Sequence, residues 1–157
     1  MSTEKVREYL KKFNLEERVM EFEVSSATVE LAAQAVGVEP ARIAKSMSFH
    51  KEDGAILVVT AGDTKIDNRK FKDFFHQKAS MLSAEEALAF TGYAVGGVCP
   101  FDNPAELEVY LDVSMKRFET VFPAAGTANS AVKLTCEELE RTSGAKQWID
   151  VCKGWEA

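Results

Sequence analysis

Two features of this chain could do chemistry together: the pentapeptide Gly96-Gly97-Val98-Cys99-Pro100, and Lys45 in an otherwise apolar run. Adjacent glycines allow a sharp turn and a close approach of backbone to a ligand, while Pro100 fixes φ and carries no N–H. Placed after Gly92-Tyr93-Ala94-Val95, which reads as a strand, the loop is expected to turn main-chain N–H groups toward an oxygen. That arrangement binds a carbonyl or a developing oxyanion. Lys45 either points to solvent from its strand or supplies a cation to the same ligand. Partly buried beside Met47 and Phe49, it would have a depressed pKa and could also serve as a base. Cys99 is either a nucleophile or a small filler at a turn, with no base evident nearby in sequence. His50 and His76 read as surface residues. Two histidines and the scattered Cys99, Cys136 and Cys152 have no zinc-site spacing, so neither a metal nor another cofactor is expected.

These residues must be held by a domain of ordinary size. At 157 residues, 46% hydrophobic and 28% charged, the chain is expected to form one globular domain over 1–157. No run approaches the roughly 18 apolar residues of a membrane span, and the N-terminus lacks the apolar core of a signal peptide. A reduced, cytoplasmic protein without disulfides or membrane contact is the expectation. The net charge is −6, unevenly spread: residues 45–78 carry seven Lys/Arg against five Asp/Glu, and both flanks are acidic. Such a chain is a poor general polyanion binder, so a nucleic acid would be held at a few points.

Val6, Leu10 and Phe13 fall on one face of a helix over residues 4–13, followed by a strand over 18–24. Ser25 to Thr28 offer caps for a helix over 28–36 ended by Gly37, and Pro40 opens a short helical turn. Residues 45–50 and 55–61 read as a hairpin turning at Asp53-Gly54. Asp67 caps a helix whose Phe71, Phe74 and Phe75 are assigned to the core. Ser83/Glu86 and Thr135/Glu138 are capping boxes opening helices to about 90 and 142. Extended segments are expected at 92–98, 107–112, 119–123, 131–135 and 146–152, the last with Trp148 and Val151 packed inward. The whole predicts an α/β (α+β) fold: a mixed, largely antiparallel, barrel-like sheet flanked by helices.

Taken in order, several of these pieces resemble one family. They are Thr28-Val29-Glu30-Leu31-Ala32 with Val36-Gly37-Val38, Ile43-Ala44-Lys45-Ser46, Gly92-Tyr93 through Gly96-Gly97-Val98-Cys99-Pro100-Phe101, Tyr110-Leu111-Asp112, Phe118, Ala125-Gly126, and Leu134 with Leu139. Over almost its whole length the chain resembles the YbaK/prolyl-tRNA synthetase-associated domain family of aminoacyl-tRNA deacylases. The resemblance implies a six-stranded barrel-like sheet with helices around it. It also implies hydrolysis, in trans, of the ester joining a wrong, small amino acid to the end of a tRNA, with tRNA for proline the first candidate. The implied partners are the aminoacyl-tRNA 3′ end and a synthetase.

Under the resemblance Lys45 matches the family's lysine and Gly96 to Pro100 its GxxxP loop, with Cys99 where members commonly have serine. Lys45 would bind the terminal phosphate or hydroxyls, or polarise the ester. Phe22, Ser26 and Thr28 border the amino-acid pocket in this family, and Thr28 reads equally as a helix cap. Asp112 is either a group that orients the substrate ammonium or a turn-forming aspartate. Gly126 and Thr127 sit in a turn that either closes the pocket or is an ordinary hairpin loop. The alternative function is a non-catalytic module that binds aminoacyl-adenosine or a tRNA end beside a synthetase.

Overall fold

The computed structural model describes residues 3–156. Among them the chain runs α1 (Glu4–Leu10), β1 (Val19–Glu21), α2 (Val29–Val36), β2 (Ile43–Lys51), β3 (Gly54–Ala61), β4 (Lys65–Ile66), α3 (Asn68–Phe75) and α4 (Ala84–Thr91). It continues through β5 (Glu108–Asp112), β6 (Thr120–Pro123), β7 (Ser130–Val132), β8 (Leu134–Thr135), α5 (Cys136–Ser143), β9 (Gln147–Ile149) and β10 (Cys152–Lys153).

Six strands form a mixed sheet in the order β8-β6-β2-β3-β5-β9, curled into a half-barrel. The β2–β3 hairpin is its centre, antiparallel from Ala44↔Ala61 to Lys51↔Gly54. β3 reads Gly-Ala-Ile-Leu-Val-Val-Thr-Ala and is buried from Ala55 onward, because both faces of the sheet are covered. Its alternating side chains feed two cores. Leu57, Val59 and Ala61 join Phe101, Leu111 and Leu134 on one face. On the other, Ile56 and Val58 meet Phe49, Phe71 and Phe75. The ribbons β1–β7 and β4–β10 stand beside the main sheet. Antiparallel partners outnumber parallel ones over the molecule, but within the six-stranded sheet β2–β6, β3–β5 and β5–β9 are parallel.

The caps act where the sequence places them. Thr28 Oγ1 accepts from Leu31 N–H, Asp67 Oδ1 accepts from Arg69 and Lys70 N–H, and both capping boxes close reciprocally. Five expectations need correction. Residues 92–98 form no strand, since Gly92 ends α4 in a left-handed conformation and the chain then turns. The strand expected over 18–24 contracts to β1. The segment 131–135 breaks at Lys133 into β7, which pairs with β1, and β8, which pairs with β6. The segment 146–152 breaks at Asp150-Val151, where Val151 N–H donates to Asp112 and its carbonyl accepts from Asp67 N–H. Phe74 is 36% exposed rather than core, leaning edge-on against Phe75 and Tyr110. Trp148 is half-buried and Val151 fully buried.

Candidate functional site

β2 is paired with β6 only at Ile43↔Phe122 and Ala44↔Pro123. Beyond Ala44 the two strands part, and a cavity of about 260 Å³ opens at the edge of β2. Its apolar end is Ala32, Ile43, Phe122 and Ala131, part of a separate small core beneath α2. Toward solvent the lining passes to Thr28, Met81, Val95, Gly96 and Val98. Lys45 is the one ionisable side chain on this lining among the described residues.

Lys45 is half-buried, and its ammonium donates to the carbonyl oxygen of Thr64 in the turn after β3. Burial lowers its pKa from the usual lysine value, against the opposing pull of Cys152, Asp63 and Glu30. The turn holding Thr64 is itself fixed. Thr64 Oγ1 donates to Ala61 C=O at 2.7 Å, and Asp63 receives both Arg117 terminal nitrogens at 2.9 and 2.6 Å. The Arg117 hydrogen bond holds the Asp63 carboxyl below its usual range, and the guanidinium lies 5.0 Å from the Trp155 ring centre. The cation is therefore placed by main chain and a clamped turn, not by a partner carboxylate.

Three loops converge opposite β2. Gly96 has φ +95°, and a Cβ there would sit 3.2 Å from Ala128 Cβ and 3.5 Å from Ala27 Cβ. Gly97 lies against the 126–127 turn so closely that an added Cβ would fall 2.6 Å from the Gly126 carbonyl and 2.8 Å from Thr127 N. Gly97 N–H is spent on Ala94 C=O at 3.0 Å. Among the described residues no partner engages the N–H groups of Gly96 and Val98, both on the cavity lining.

Ser26 N–H donates to Ala128 C=O and its hydroxyl reaches Ser130 C=O. Phe22 exchanges hydrogen bonds with Asn129, and Thr127 Oγ1 bonds Asn129 and Ser130. The loops at 22–28 and 125–130 are thus tied together, with the glycine loop wedged between them.

Of the residues singled out from sequence, Lys45, Gly96, Val98, Ser26 and Thr28 line the cavity. Thr28 does so while capping α2. Gly97, Phe22, Gly126 and Thr127 stand behind the lining and brace it. Cys99 faces away: it is fully buried, within hydrogen-bond reach of Tyr93 O–H and the N–H groups of Phe101 and Gly126. Burial pushes its thiol up to about 12, so it is not a thiolate near neutral pH. Pro100 is buried beside it. Asp112 is fully buried, both oxygens used by Ser114 N–H (3.0 Å) and Val151 N–H (2.9 Å).

Sequence reasoning missed Ser46, Ser48, Met81, Leu82 and Phe122 on the lining, and Thr64 as the lysine's anchor. Serines alternating with Lys45 and Met47 in a central strand were the available signal for the first two.

Comparison with known proteins gives the family and the fold. Residues 23–142 match the profile of the aminoacyl-tRNA editing domain. The chain is 57% identical over 157 residues to the uncharacterized protein YwhH of Bacillus subtilis (strain 168), covering 99% of this chain and 100% of that one. It is 28% identical over 103 residues to a proline–tRNA ligase of Bacillus pumilus, covering 65% of this chain but 18% of the ligase. Among solved structures, a candidate trans-editing enzyme for prolyl tRNA synthetase superposes with a TM-score of 0.88 at 32% identity, covering 98% of this chain and 99% of that one.

Proposed function

Because the chain belongs to the aminoacyl-tRNA editing domain family, we propose that it is a trans-acting deacylase that hydrolyses the ester of a tRNA mischarged with a small amino acid. The observation that carries this reading is a single cation among the described residues, Lys45, on a small and otherwise uncharged cavity that Gly96 and Val98 also line, their N–H groups unengaged. Pockets for drug-sized ligands run to about 300–1,000 Å³. About 260 Å³ suits an aminoacyl group with a short neutral side chain.

The chemistry needs no protein nucleophile. Water adds to the ester carbonyl carbon, and the oxyanion that forms is met by the Gly96 and Val98 N–H groups and by the Lys45 charge. Collapse breaks the carbonyl carbon–ribose oxygen bond. The water's proton ends on the ribose oxygen, freeing the amino acid and the tRNA 3′ end. Lys45 acts as a fixed charge because its ammonium is committed to Thr64 C=O. Apolar contacts at Ala32, Ile43, Phe122 and Ala131 would sort side chains by size, at about 1–3 kcal/mol per methylene. The tRNA of first choice is that for proline, presented with few contacts by this acidic chain.

The test is a deacylation screen of the purified protein against correctly charged and mischarged tRNAs, with Lys45→Ala alongside. Release of one small amino acid, lost in the variant, supports the reading. No release from any charged tRNA by folded protein refutes it.

A further inference from the structure

The edge of β2 that borders the cavity is paired on both sides of Ser46 but not at Ser46. Before it stand the parallel pairs with β6 that end at Ala44↔Pro123. After it, Phe49 bridges Met81, with Leu82 N–H donating to Ser48 C=O at 3.1 Å and His50 N–H to Ser80 C=O at 2.8 Å. In a strand, one residue's N–H and C=O face the same edge, and successive residues alternate edges. Ser48 and His50 mark the even-numbered residues as facing this one. Ser46 therefore turns its N–H and C=O to the same edge, where among the described residues no main-chain partner engages them. Ser46, Ser48, Met81, Leu82, Phe122 and Ala124 all line the cavity, so the cavity is this break in the pairing. The Ser46 hydroxyl is a second unmet group: its oxygen is buried without a hydrogen-bond partner. Interior main-chain groups seldom go unpaired.

Resting on the deacylase reading above, we infer that the aminoacyl group of the substrate fills this one-residue gap as a surrogate strand residue. Its α-ammonium donates to Ser46 C=O and its ester carbonyl accepts from Ser46 N–H. An α-aminoacyl ester is one residue long and carries, in the right order, the donor and acceptor that a strand residue offers its neighbour. The Ser46 contact holds the carbonyl from one side while the glycine loop meets its developing charge from the other. The gap thus selects α-aminoacyl esters with a free ammonium, and main chain, not side chain, reads that feature.

The experiment uses the native, ¹⁵N-labelled protein. It is titrated with 3′-(L-alanylamino)-3′-deoxyadenosine, its L-seryl and L-cysteinyl counterparts, and the lactoylamino compound in which hydroxyl replaces ammonium. At least one aminoacyl compound is expected to bind, to shift the Ser46 amide resonance and to slow its exchange with solvent. The lactoyl compound, lacking a charged donor, is expected to bind about 10- to 100-fold more weakly. A bound compound that leaves the Ser46 amide unmoved, or equal binding of the lactoyl and aminoacyl compounds, overturns the inference and leaves the deacylase reading standing. No binding by any of the four to folded protein overturns both.

Discussion

Gly97→Ala is the substitution whose effect the geometry dictates most directly. An added Cβ would lie 2.6 Å from the Gly126 carbonyl carbon and oxygen and 2.8 Å from Thr127 N, all main-chain atoms that no rotamer change can move. Ordinary contact begins near 3.4 Å, so the glycine loop and the 125–130 turn must part by about 0.8 Å. Forcing an extra methyl into a filled interior costs about 1–3 kcal/mol. At roughly 2–4 °C per kcal/mol for a domain of this size, Tm should fall by about 2–12 °C. The catalytic effect should be larger in proportion. The same displacement carries Gly96 and Val98 away from β2, and a misplacement near 1 Å costs about 100-fold in rate.

The assay is single-turnover deacylation of the tRNA preferred in the screen, beside thermal unfolding, with Gly54→Ala as the control. Gly54 is not in the left-handed region, and its nearest non-adjacent atom to a new Cβ is 3.9 Å away. That variant should match the parent in rate and gain about 0.4–1 kcal/mol in stability. A Gly97→Ala protein with parental Tm and rate would refute the wedged-loop geometry.

Lys45→Ala should lower single-turnover deacylation at least about 100-fold while Tm stays within a few degrees, because the lost ammonium was held against a burial penalty. The rate relative to spontaneous ester hydrolysis should fall as pH rises through the lowered pKa of Lys45, because the cation is the active form; a base would give a rise instead. Cys99→Ala should retain activity and cost about 1–2 kcal/mol by urea unfolding, and iodoacetamide should label Cys99 only in denaturant. Asp112→Ala should strand the Ser114 and Val151 N–H groups at about 1–3 kcal/mol each, seen as a lower unfolding midpoint, with activity tracking the folded fraction.

Local chemistry carried most of the element assignments. Thr28, Asp67, Ser83 and Thr135 cap helices because each cap is satisfied within four residues, which a linear reading can see. The hairpin of residues 45–50 and 55–61 was equally accessible from its turn chemistry at Asp53-Gly54, although the two residues that turn are Glu52 and Asp53, with Gly54 already paired to Lys51. Long-range pairing was not. Nothing in Ala131 to Thr135 reveals that its two halves serve different partners, nor in Lys146 to Cys152 that Asp112, distant in sequence, captures Val151 N–H. The site divides along the same line. Lys45 and the double glycine stand out as residue types out of place in their surroundings. Thr64 contributes only a carbonyl, and main-chain groups are the same at every position; Ser46 left a trace only as a serine within the strand.

The seam between β1 and β7 bears on how the cavity is assembled. The β2–β3 hairpin closes across a turn of two residues, whereas Val19 finds Val132 more than a hundred positions away. Local closure is fast and distant closure slow, because the chain must surrender freedom before the contact rewards it. The loops at 22–28 and 125–130 hang on that seam, so the cavity wall is expected to form after the β2–β3 hairpin. The same seam is the natural place for a partial opening in the finished protein. Native-state hydrogen exchange should show β1 and β7 opening together at lower free energy than β3. Such an opening would loosen the loops that carry Phe22, Ser26 and Thr127 while β3 stays protected.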